Sequence, residues 1–220
     1  MSTAVVHDHE SGHDSHLQHH FATPEQQADA SKLGMWLFLA TEILLFGGLF
    51  VGFGISQIKY PEAFLAAHEH LQKPLGFLNT VVLLISSWTM VMGVWSARNN
   101  KQKALQIFLL LTIACACIFL GVKYFEYSHK FEDGLLPGRF YTHSPMSDHQ
   151  FVFFSFYFMM TGLHGFHILG GIGVLTWIYI RARRGEFSSA YYTPVDLVGL
   201  YWHLVDMIWI YLFPLLYLIK

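Results

Sequence analysis

Residues 33–58 read LGMWLFLATEILLFGGLFVGFGISQI, an apolar run interrupted by a single charge, Glu42. A bilayer core about 30 Å thick is crossed by roughly 20 apolar residues as helix, because hydrocarbon tolerates no unpaired backbone polar group. This stretch meets the requirement, and four others do too. Residues 75–97 carry no Asp, Glu, Lys or Arg, and neither do 104–122, the first part of a third span drawn at 104–128. Residues 151–180 are likewise uncharged, and 197–219 hold only Asp206. The sequence therefore predicts an all-α integral membrane bundle of five transmembrane helices within residues 31–220, preceded by a disordered polar tail, residues 1–30. The run 151–180 exceeds one bilayer thickness, so that helix is expected to tilt or protrude.

Composition supports lipid as the solvent. Of 220 residues 54% are hydrophobic and 13% charged, against about 45–50% and 25% in soluble domains. The net charge of −2 gives no basic field for nucleic acid, and no phosphate-cradling loop, zinc-type Cys pair or nucleophile elbow is present. Cys115 and Cys117, the only cysteines, sit in an apolar run and read as packing thiols. The tail holds six His among Asp, Glu, Gln and Ser. It reads as a solvated segment without the fixed geometry a metal site needs, and it lacks the basic start and apolar core of a secretory signal peptide.

Five spans put the termini on opposite faces. Basic residues cluster in two short loops on the N-terminal side, at Arg98, Lys101 and Lys103 and at Arg181, Arg183 and Arg184. Such clusters resist translocation, so the N-terminus is expected inside and the C-terminus outside. Trp88, Trp95, Tyr124, Tyr127, Tyr191, Tyr192 and Tyr217 are expected as interfacial anchors. Gly48 and Gly52, with Gly162, Gly165, Gly170, Gly171 and Gly173, are expected at close helix crossings.

An ionisable residue at the bilayer centre costs about 2.5–3.5 kcal/mol on insertion scales, so each needs a partner or a task. Glu42 falls about nine residues into its span, roughly 13 Å. His164 and His167 are three apart, as are His203 and Asp206, so each pair is expected to share a helix face. Both pairs point inward in this reading, and Asp206, His167 and Glu42 reach similar depths, which allows one polar cluster. Three readings of it stand open. The groups are interhelical glue, with Asp206 accepting from a His; or they form a proton- or lipid-linked site; or His164, His167 and His203 ligate a metal in a membrane metalloenzyme.

Five stretches taken in order carry a resemblance: Leu33-Gly34-Met35-Trp36-Leu37-Phe38-Leu39-Ala40-Thr41-Glu42, Leu78-Asn79-Thr80, Phe125-Glu126-Tyr127, Gly162-Leu163-His164-Gly165-Phe166-His167, and Tyr201-Trp202-His203-Leu204-Val205-Asp206-Met207-Ile208-Trp209. Together they resemble subunit III of the haem-copper cytochrome oxidases over residues 33–220. The resemblance implies a part of an oxidoreductase and translocase complex that has no catalytic centre and no cofactor of its own, haems and copper residing in partner subunits. It implies direct docking on oxidase subunit I, assembly with other subunits including subunit II, bound phospholipid, no nucleic acid, and membership of a respiratory supercomplex. Glu42 matches the family's carbodiimide-reactive glutamate, linked there to proton uptake through subunit I and to protection against turnover inactivation. Glu126, His164, His167, His203 and Asp206 fall in the matching segments as intramembrane polar groups, and Arg181 falls where the family has a lipid-phosphate contact.

Many members of that family have seven spans. Five resembles the shorter form found in bacterial quinol oxidases of the cytochrome bo type and in some bacterial cytochrome c oxidases. The implied setting is the inner membrane of an aerobically respiring bacterium, with electrons entering from cytochrome c or from quinol. Within the same circle of resemblance, the accessory protein of nitric oxide reductases is the alternative.

Overall fold

A computed structural model describes residues 18, 21–136 and 149–219. The chain order is α1 (Pro24–Lys59), α2 (Pro61–His68), α3 (Lys73–Arg98), α4 (Gln102–Glu132), α5 (Gln150–Arg183) and α6 (Thr193–Tyr217). Among the described residues five helices are long and apolar enough to cross a membrane, all except α2. The chain is a multi-pass membrane protein, and its described elements are helices. The six tail histidines, Arg139 and Lys220 lie outside the described residues.

Helix boundaries follow local chemistry. The first helix starts at Pro24, inside the stretch expected as tail, because Thr23 caps it: its Oγ1 accepts from the Gln26 amide at 3.1 Å, and Pro24 takes the first position, where no amide is needed. Three more helices, α2, α3 and α6, also carry Pro in the first turn. Tyr60-Pro61 breaks the chain between α1 and α2, and the short α2 was not foreseen because eight residues cannot span lipid. Its Phe64 and Ala67 are buried, and it packs on α5.

The helices form an antiparallel bundle in which α3 packs most extensively on α4, then on α6, while α5 bridges α4 and α6. In contrast α1 leans on α5 and α6 with fewer contacts, and most of its apolar side chains are exposed. Glycine matters at only some of the crossings. A Cβ on Gly171 would stand 2.6 Å from the Trp202 ring, and one on Gly76 2.9 Å from Tyr217. Gly52 and Gly199 are tight as well, at 3.3 Å from Phe156 and 3.1 Å from Val94, whereas Gly48, Gly165 and Gly173 meet nothing within 4 Å. The expectation for those three is corrected: they face open surface rather than a crossing.

On the face where α1 begins, the two short loops are tied together. Arg98 donates to Asp196 at 2.8 Å and lies over the Tyr192 ring. Asn100 exchanges two hydrogen bonds with Ser189, Gln102 donates to the Phe187 carbonyl and Gln106 to that of Ala182. This clasp fixes the ends of α3, α4, α5 and α6 on that face relative to one another, and so sets the depth at which their interior polar residues meet.

Candidate functional site

The intramembrane polar groups resolve into three sites rather than one cluster. The first joins α1 to α5. Glu42 lies eighteen residues from Pro24 and seventeen from Lys59, at about the midpoint of α1. Its Oε2 is 2.8 Å from His167 Nε2, and both side chains are largely withdrawn from solvent, with 14% and 12% exposure. His167 Nδ1 is 2.8 Å from the Leu163 carbonyl. A carbonyl only accepts, so Nδ1 carries a hydrogen. The Glu42 bond then holds one proton, on Nε2 facing a carboxylate or on the carboxyl facing a bare Nε2. The pair is neutral overall in either arrangement. Phe46 meets the imidazole edge-on at 5.4 Å, and Tyr201 donates to the His167 carbonyl at 2.9 Å, linking α6 to the same seam.

The second site lies in the half of the bundle remote from the N-terminus. Glu126 on α4 is fully buried and takes four donors. Lys123 Nζ is 2.9 Å away and Lys130 Nζ 3.3 Å, while Tyr157 and Tyr217 hydroxyls donate at 3.0 and 2.6 Å. Lys123 also donates to Tyr217 at 2.8 Å, and its ammonium stands over the Trp209 ring at 4.7 Å from the centroid. Two cations share one carboxylate, with aromatic faces supplying the remaining stabilisation. From sequence Lys123 has no expected site role, and Tyr217 is expected as an interfacial anchor. Tyr217 is instead fully buried, and Tyr127 donates to Thr161 at 2.5 Å. The spacing Lys123, Glu126, Lys130 was the available signal, since i, i+3 and i+7 fall on one helix face.

The third site is on α3 and α6. His203 Nδ1 contacts Ser87 Oγ at 2.8 Å, Trp202 Nε1 donates to Ser86 Oγ at 2.9 Å, and Trp209 Nε1 to Thr80 Oγ1 at 3.1 Å. Asp206 is 2% exposed, and neither carboxyl oxygen has a partner of hydrogen-bond geometry although Ser87 is adjacent. Asp206 does not accept from a His, so that part of the glue reading is corrected. His164 is fully buried between Phe119 and Trp209, with both ring nitrogens unpartnered. It does not share its neighbours with His167, although the two are only three positions apart.

Among the described residues no group of three or more His, Cys, Asp or Glu is placed to hold a metal ion. His164, His167 and His203 have separate surroundings, which removes the basis for reading them as one ligand set. Cys115 and Cys117 are free thiols, one half-buried and one exposed. Arg181 Nε donates to Glu186 at 2.6 Å and its Nη2 reaches the Tyr191 hydroxyl at 3.5 Å. The guanidinium therefore already holds one anion from its own chain, and a phosphate would have to use the remaining Nη donors.

Comparison with known proteins agrees with this architecture. The family model described as cytochrome c oxidase subunit III matches residues 12–220. The chain is 30% identical over 195 residues to a probable quinol oxidase subunit 3 of Staphylococcus haemolyticus (strain JCSC1435), covering 88% of this chain and 90% of that one. It is 28% identical, with the same coverage, to a protein of the same description from Staphylococcus aureus (strain USA300). With a match that takes in all five spans and each of the three polar sites, the chain belongs to the cytochrome c oxidase subunit III family: it is subunit III of a haem-copper oxidase.

Proposed function

We propose that this chain is the non-catalytic subunit of a proton-pumping terminal oxidase in a bacterial inner membrane, that it steadies the catalytic subunit I with its lipids and proton-uptake surroundings, and that the complex takes electrons from quinol. The observation that carries the reading is the Glu42–His167 bond at mid-membrane, a neutral proton-holding pair between a loosely packed helix and the main bundle. Such a pair fixes α1 without placing a net charge in lipid. The largely exposed apolar surface of α1 then remains for a partner or for lipid tails. The Staphylococcus relatives, described as quinol oxidase subunits, favour quinol over cytochrome c as donor. The basic loops favour a cytoplasmic N-terminus and an external C-terminus.

The test is purification from native membranes through a tag on this chain. The expected result is co-purification with a large subunit bearing haem and copper that oxidises quinol and reduces oxygen. Recovery of a nitric oxide-reducing complex, or of no haem-bearing subunit, would overturn the proposal.

A further inference from the structure

The α3/α6 site has a property that the polar contacts do not use. A hollow of about 300 Å³ opens beside it, lined by Leu83, Ser87 and Val91 of α3 and by His203, Asp206 and Ile210 of α6, among others. It runs two helical turns along both helices. Its rim is apolar and outward-facing: Leu84 and Val91 are 50% exposed and Met207 52%. Its depth is mid-helix, since Asp206 lies thirteen residues from the start of α6 and eleven from its end, about 20 and 16 Å. A phospholipid headgroup does not reach that level.

Asp206 lines this apolar groove with its carboxyl withdrawn to 2% exposure, and neither oxygen has a partner of hydrogen-bond geometry although the Ser87 hydroxyl stands adjacent. An unpaired buried acceptor costs about 1–3 kcal/mol, and more if charged, and acyl chains supply no donor. The missing component is thus a donor brought into the bilayer centre on an apolar support that lies along the groove. A transmembrane helix has that shape, and its side chains at i and i+4 repeat at about the length of one turn. Interhelical hydrogen bonds of this kind fix which membrane helices associate.

We propose that the α3/α6 groove is the seat of a transmembrane helix from another oxidase subunit, which sets a hydrogen-bond-donating side chain against Asp206. The inference rests on the oxidase reading above, and names the surface by which this chain joins that complex. Ser87 and His203, bonded to each other, hold the wall of the seat. Leu84, Val91 and Met207 form the apolar rim that the incoming helix covers.

The experiment uses the full complex in native membranes. The photoreactive residue p-benzoylphenylalanine is placed at Leu84 or at Met207, the membranes are irradiated, and the tagged chain is purified and its adducts identified by mass spectrometry. The expected adduct joins the rim to a transmembrane segment of a co-purifying subunit, within about one turn of an Arg, Lys, Asn, Gln, Ser, Thr, Tyr or Trp. Adducts only to lipid, to quinone, or to a second copy of this chain would overturn the proposal while co-purifying haem leaves the oxidase reading standing. Recovery of the chain with no other subunit would overturn both. A pair of variants separates docking from internal stability. Asp206→Leu should leave the amount of this chain in the membrane unchanged but lose the adduct and the co-purifying subunit, and Asp206→Asn should keep them. Retention of partner and adduct in Asp206→Leu would also sink the proposal.

Discussion

Glu42 Oε2 and His167 Nε2 stand 2.8 Å apart across the α1–α5 seam, while His167 Nδ1 is committed to the Leu163 carbonyl. The second contact decides what the first can be. With Nδ1 donating, the Glu42 bond needs one proton and no more, and the seam stays neutral at the depth where a net charge is most costly.

Glu42→Gln is therefore expected to preserve the seam, because its amide N–H can donate to a bare Nε2. The complex should assemble with full haem content and show modest changes in turnover or lifetime. Glu42→Leu leaves His167 Nε2 without a partner, at a cost of about 1–3 kcal/mol, and should lower the thermal stability of the purified complex. Complete loss of oxygen reduction in a fully assembled Glu42→Gln complex would contradict this account.

At Glu126 the order of effects discriminates the model of two cations on one carboxylate. Glu126→Gln leaves Lys123 and Lys130 buried without a counter-charge, and removing one partner of a buried pair costs about 3–5 kcal/mol. Lys123→Met retains Lys130 and both tyrosine donors on Glu126 and should be milder. Expression level and melting temperature of the two variants side by side provide the check; the reverse order would refute the assignment.

Two glycines of α5 give an internal control for packing. Gly171→Ala drives a methyl group into Trp202, and overpacking of this kind costs about 1–3 kcal/mol. Gly165→Ala meets nothing within 4 Å and should be neutral or slightly stabilising, since Ala favours helix over Gly. Equal melting temperatures for the two variants would show that α5 and α6 do not approach as closely as described.

Arg181 can hold a lipid phosphate only with the donors that Glu186 and Tyr191 leave free. Arg181→Gln should therefore reduce the phospholipid that co-purifies with the complex, measured by mass spectrometry of extracted lipid. Glu186→Gln, which removes the competing anion, should raise retention. An unchanged lipid complement in both variants would exclude Arg181 as a headgroup contact.

The amino-acid sequence by itself determined the solvent, the five spans and the family, because run length and scarcity of charge are properties of the chain that no packing alters. It also marked Glu42, His164, His167, His203 and Asp206, since an ionisable residue inside an apolar run is conspicuous wherever it ends up, while Glu126 was marked only by the family resemblance. Which of them meet was decided only by tertiary structure. Successive helical residues turn by about 100°, so positions three apart differ by roughly 60° in direction, enough for His167 to reach α1 while His164 lies among Phe119 and Trp209. Depth alone likewise placed Asp206 with Glu42, but the antiparallel register of α3 and α6 set it beside Ser87 instead. Tyr217 looked like an interfacial ring because it closes a span, and the bundle turned it inward to Glu126. Rotation about each helix axis and register between neighbours are collective results of packing, and a linear sequence records neither.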